Sequence, residues 1–185
     1  MKPQIGKIMS VIKDPMVSDQ FVLEFPSVPT GNADSEPLMI HCQQVAKPGV
    51  TVNEVQVQVF GHTLVYAGNL TYSHDMSVTF VENVRGSIMR SLEHWSEKIR
   101  NHLSQHGEFF AGYSTDAKLT IFDNKGAASL IYKIYGIWPA TLPEVQMDGT
   151  NANLITHSVS FKYQYYECVG GANAGDLSEN NVSAS

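Results

Sequence analysis

The stretch from Asp75 to Leu103 constrains the fold most, because its hydrophobic period changes part-way along. It opens as a strand, Met76-Ser77-Val78-Thr79-Phe80, with apolar residues on one face and hydroxyls on the other. After Glu82-Asn83 the residues Val84, Ile88, Leu92, Trp95, Ile99 and Leu103 recur at intervals of three and four, one apolar stripe on an α-helix. Asn83 is the predicted N-cap, and Gly107 lies just past the expected end. The opposite face carries Arg90, Glu93, Glu97, Lys98 and Arg100, with Glu93 and Glu97 spaced to pair with Lys98 or Arg100. No other stretch reads as a long helix. One helix is therefore expected to cover an otherwise β protein, anchored to the sheets by Trp95, Ile88, Leu92 and Ile99.

The rest of the chain alternates with a period of two between turn signals. Gln20–Phe25 reads as a strand stopped by Pro26, Thr30–Pro37 as a polar loop, and Leu38–Ala46 as a second strand closed by a type II turn at Pro48-Gly49. Val52–Phe60 has the clearest alternation. Val55, Val57 and Val59 point one way, expected to be the core, while Glu54, Gln56 and Gln58 point the other. Gly61-His62 reverses the chain into Thr63–Ala67, which makes a hairpin. After a loop at Gly107–Ser114, Ala117–Phe122 and Ala128–Trp138 flank the turn Asp123-Asn124-Lys125-Gly126, and Pro139 is expected to stop the second of them. A short strand at Leu142–Met147 and one long strand at Leu154–Tyr166 complete the set. This pattern predicts two packed antiparallel sheets, as a sandwich or barrel, with one flanking helix. Residues 1–169 are read as one domain, with an arm at 1–18, and 170–185 as a flexible tail rich in Gly, Ala, Asn and Ser.

Composition narrows the function classes. Charged residues are only 16% of the 185, and the net charge of −6 lacks the clustered Lys and Arg that nucleic-acid binding needs. No membrane span or signal segment is expected. Cys42 and Cys168 have no metal-type spacing; a disulfide is one reading, two reduced thiols the favoured one.

The seven histidines suggest a search for metal ligands. His102 and His106 have same-face spacing but lack the partners of a zinc site, and His41 and His157 fall among apolar strand residues, as satisfied core histidines do. No nucleophile elbow, phosphate loop or dinucleotide fingerprint is present. Tyr163, Tyr165 and Tyr166 form either the packed face of a strand or a stacking surface for a ligand. No catalytic residue, metal or cofactor is expected, and the residues alone lead to a non-catalytic β domain.

The order of motifs resembles a known family. Phe25-Pro26, Cys42 with Pro48-Gly49, the Val-rich hairpin with Tyr66-Ala67-Gly68, Arg90 and Glu93-His94-Trp95 on the helix, and Tyr135-Gly136-Ile137-Trp138-Pro139 follow one another. The chain looks like the tail tube protein of contractile-tailed bacteriophages, and more distantly like inner-tube subunits of phage-tail-like bacteriocins and type VI secretion. The resemblance covers about Asp14 to Glu167. It implies a homo-hexamer whose inner strands join a multi-subunit β-barrel, stacked into a tube inside a contractile sheath. Implied partners are the tail sheath, baseplate and tail terminator proteins, a tape measure protein in the lumen, and phage DNA passing without specific binding. The implied place is the virion tail, assembled in the host cytoplasm. Glu54, Gln56 and Gln58 become candidate lumen-facing residues. Alternatives are a tube-initiating baseplate protein, an inner-tube subunit of a related injection machine, or a small monomeric ligand-binding or enzymatic β-barrel using His157 or the tyrosines.

Overall fold

In Asp75–Val81 (β5) the apolar residues Met76, Val78 and Phe80 are spaced two apart, and all three are buried. The computed structural model describes Ile5 and residues 16–29, 35–150 and 152–170. The predicted arm up to residue 15, Ile5 apart, and the predicted tail from 171 lie outside them. The remaining elements are β1 (Phe21–Glu24), α1 (Ser35–Ile40), β2 (Cys42–Val45), β3 (Val50–Val59), β4 (His62–Tyr72), α2 (Ser87–Ile99), α3 (Phe110–Tyr113), β6 (Thr115–Phe122), β7 (Ala128–Thr141), β8 (Thr156–Lys162) and β9 (Tyr165–Gly170). All strand pairs are antiparallel. The protein is mainly β, with two layers of sheet and few helices, and among the described residues the strands form no closed barrel.

The strand order is β1-β6-β7-β8-β5-β2, with β9 also on β7. β7 belongs to both layers. Its first half pairs with β6 and β9, and Trp138, Pro139 and Thr141 pair with β8. The bend falls at Gly136, whose φ of 63 suits glycine, at a bulge opposite Thr115–Ala117. The predicted long last strand breaks beside it. Gln164 donates its N–H to the Tyr135 carbonyl at 2.9 Å, and the chain passes from β8 in one layer to β9 in the other. Leu23, Leu119 and Ile134 from one layer meet Val78, Val159 and Phe161 from the other in a common core.

Helix α2 closes this core. Ile88, Leu92 and Trp95 are buried and Ile99 packs partly against the cluster. Phe25 and Phe161 lie 6.0 and 5.8 Å from the Trp95 ring, and the indole N–H donates to the Tyr113 carbonyl at 2.7 Å. The helix is shorter than its stripe. Val84 and Leu103 are exposed, because α2 starts only after Gly86, at φ 65, and stops at Ile99. Gly86, not Asn83, is the N-cap, although Asn83 Oδ1 accepts from Arg85 in the turn and from Ser87, the first helical N–H. The next two helical N–H groups, of Ile88 and Met89, donate to the Glu82 carboxylate at 3.1 and 2.8 Å. Arg100 is extended, and Glu97 lies near His94 (3.9 Å) rather than near Lys98 or Arg100.

Other expectations are corrected. Leu38–Ile40 is helical, placing Leu38 in the core, and only Cys42–Val45 of the second predicted strand is extended. Gly49 is not among the residues of positive φ, so Pro48-Gly49 is no type II turn. The 107–114 loop contains α3. β7 runs through Pro139, tolerated because that stretch pairs with β8 alone and leaves its other edge free. Leu142–Met147 forms no strand, since β8 already has β5 and β7 on its two edges.

Candidate assembly site

β3 and β4 form a separate two-stranded sheet, off the sandwich path. Alternation and a two-residue turn fold it: Val59 pairs with His62, and Phe60 and Gly61 between them have φ values of 48 and 80. The turn is thus Phe60-Gly61, one residue before the predicted Gly61-His62. Every residue of β3 is exposed, and in β4 only Gly68 and Tyr72 are partly covered. Val55, Val57 and Val59 are 50, 42 and 41% exposed, so they do not face the subunit core. Among the described residues no layer lies behind them.

Register fixes which residues share a face. Glu54, Gln56 and Gln58 stand opposite Ala67, Val65 and Thr63, and Gln56 donates its amide to Glu54 at 2.8 Å. Val55, Val57 and Val59 share the other face with Tyr66, Leu64 and His62. An extra residue in β4 breaks the register between Val52 and Glu54. Gly68 stands at this bulge because a Cβ there would come within 2.9 Å of Val55 and 3.0 Å of the Asn53 carbonyl. Nearer the body the apolar pairs, Val50 with Tyr72 and Val52 with Leu70, lie on the glutamine face of β3. The apolar side therefore changes across the bulge. The sequence signals for that change were Gly68-Asn69 in β4 and the shift of the β3 valines from Val50 and Val52 to Val55, Val57 and Val59.

The other candidate residues serve the fold. His157 is buried, and its Nε2 lies 2.9 Å from Glu82 Oε2. Burial would raise the Glu82 carboxyl, but N–H donors from Met89, Asn83 and Ile88 and the His157 ring outweigh it and hold it below the usual range. His41 is only partly buried, and His102 and His106 are exposed. Tyr163 is buried, donates to the Gly49 carbonyl at 3.2 Å and shares a hydrogen bond with Ser73, whereas Tyr165 turns outward and stacks on Tyr135 at 4.6 Å. Cys42 and Cys168 are free thiols, and burial pushes the Cys42 thiol up to about 12. Among the described residues no group of three or more His, Cys, Asp or Glu is placed to hold a metal. A cavity of about 370 Å³ beside α2 includes His157, Leu92 and Leu142 in its lining, but the His157 ring is committed to Glu82.

A family model described as phage tail tube protein matches residues 13–169. The chain belongs to this family. No curated protein matches it by sequence. Among solved structures, the tail tube chain is similar to one in the PVC extracellular contractile injection system, a sheath–tube complex in the extended state. TM-score is 0.60 and identity 10%, over 91% of this chain and all (100%) of that one. A chain of the six-fold symmetrised anti-feeding prophage baseplate gives 0.61 and 13%, over 86 and 98%. One in the PVC sheath/tube terminator gives 0.64 and 11%, over 86 and 99%. At these identities the likeness is one of fold.

Proposed function

We propose that this tail tube family member is a structural subunit, without catalytic activity, that closes into hexameric rings stacked around a DNA-conducting lumen inside a contractile sheath. The hairpin carries this reading. Two strands of ten and eleven residues stand with both faces wet and both edges open. A lone two-stranded ribbon is marginal in water, and open edges invite pairing. Hairpins from neighbouring subunits, joined edge to edge, satisfy those edges and close a barrel that no single chain forms. Residues 1–169 are taken as the tube domain. Sheath, baseplate, terminator and tape measure proteins are the proposed partners, in a virion tail assembled in the host cytoplasm.

The lumen face is proposed to be that of Glu54, Gln56 and Gln58. From Val50 to Tyr72 there is no Lys or Arg, and Glu54 is the sole acid. A wall past which a polyanion must slide gains from having no cations, because each adds salt-sensitive attraction to phosphate. The apolar Val55–Val59 face is then turned outward, against neighbouring subunits rather than its own core.

Electron microscopy of the purified protein tests the assembly. Rods with a central channel are expected for a main tube subunit, single rings for a tube initiator or terminator, and a strictly monomeric particle refutes both. Gln56→Lys with Gln58→Lys tests the face. Assembled tubes should gain DNA retention that weakens with salt, and virions should eject slowly; normal ejection would assign the lumen to another face.

A further inference from the structure

The tip of the hairpin carries a residue that its turn does not favour. With both loop residues at positive φ the geometry is that of a type I′ turn, whose first position suits Asn, Asp or Gly. Phe60 occupies it at φ 48 and is 97% exposed. Water gives an aromatic ring no reason to be there, and the backbone is strained to hold it.

The base of the same hairpin adjoins a hole. A cavity of about 290 Å³ is lined by Met16, Val17, Phe21, Val45 and Ile121 together with Lys47. Phe21 belongs to β1 and Val45 to β2, the two ends of the strand order, so the cavity marks the seam where the sandwich fails to close. Lys47 precedes β3 closely in sequence, and its ammonium lies 5.9 Å from the Tyr166 ring. That ring packs edge-on against Tyr72, the last residue of β4, at 5.7 Å. Knob and hole thus lie at opposite ends of one hairpin.

We infer that Phe60 of one copy seats in the β1–β2 cavity of a second copy in the next ring. This rests on the tube reading above and names one contact that stacks the rings. An apolar cavity of about 150 Å³ is enough to take up benzene, so the volume suffices for a phenyl ring. Ten residues of strand at about 3.3 Å each separate tip from base by about 30 Å. A knob and a hole displaced along one axis make a heterologous contact that does not close on itself, and its repetition gives a filament.

Two variants test this. Phe60→Asn creates the Asn-Gly pair that the turn prefers, so the protomer should unfold at the same temperature or slightly higher while rod formation falls at least tenfold and rings persist. Phe60→Cys combined with Val17→Cys should give, under oxidation, a reducible ladder of chains extending past the size of one ring, absent from either single variant. Rods of normal length from Phe60→Asn would overturn the proposal while leaving the tube reading intact. Lost rods without a ladder would overturn it too, since the tip would then seat elsewhere. Wild-type protein that forms neither rings nor rods would instead overturn the tube reading on which it rests.

Discussion

β5 and β3 are alike as sequences and opposite as structures. β5 alternates apolar and polar residues from Met76 to Phe80, and β3 does so from Glu54 to Val59. Met76, Val78 and Phe80 of β5 are at most 1% exposed, while Val55, Val57 and Val59 of β3 are 41–50% exposed. Alternation specifies that a strand has two unlike faces. It does not specify what covers the apolar one. In β5 the cover is the facing sheet and α2, supplied by the same chain. In β3 no described part of the chain covers it, and on the proposed reading the cover is a neighbouring subunit.

The largest effect belongs to the covered side. Trp95→Ala removes a fully buried ring and its hydrogen bond to Tyr113, and should cost about 3–5 kcal/mol. Thermal unfolding should fall by roughly 10 °C at the about 2–4 °C per kcal/mol expected for this size. A loss of a degree or two would show that α2 does not clamp the sandwich.

Glu82 comes next. Glu82→Ala leaves the Ile88 and Met89 N–H groups of α2 and the buried His157 without their acceptor, a cost of about 2 kcal/mol. The pH dependence has a definite sign. The folded-state carboxyl titrates below its unfolded counterpart, so the folded protein binds fewer protons there. Its contribution is full at neutral pH and disappears as pH falls through and below the ordinary carboxylate range. The difference in unfolding free energy between wild type and Glu82→Gln, followed down to acid pH, should shrink over that range. A constant difference would mean that the carboxylate charge contributes nothing.

The smallest effect sharpens the contrast most. Val78→Ala should cost about 2 kcal/mol, whereas Val57→Ala should change protomer stability by less than about 0.5 kcal/mol. The Val57 variant should instead weaken assembly, read as a higher protein concentration for rod formation. Equal losses in unfolding would mean that the hairpin packs on its own body after all.

Legibility from sequence followed the range of the interactions. The Asp123–Gly126 turn could be read because Asp123 Oδ1 accepts from Lys125 and Ala127 within the turn itself. The centre of α2 could be read because its stripe faces one core. Its start could not, because Glu82 reaches six and seven residues forward to cap it. Pro139 misled because its tolerance depends on which edge of β7 is free, a property of strand order. The valines of β3 misled for a similar reason, since no layer among the described residues covers them.

The shared strand has a mechanical consequence. β7 turns from one layer into the other at Gly136, and the β8–β9 connection turns beside it at Gln164. The corner is tight: a Cβ on Gly136 would lie 2.9 Å from both Gln164 Cγ and Phe110 Cζ. Two sheets held only by interdigitated side chains can creep past each other under shear. Here relative sliding would have to drag two covalent backbones round a filled corner, so the body should yield to lateral load as one stiff block, leaving bending compliance to the hairpin.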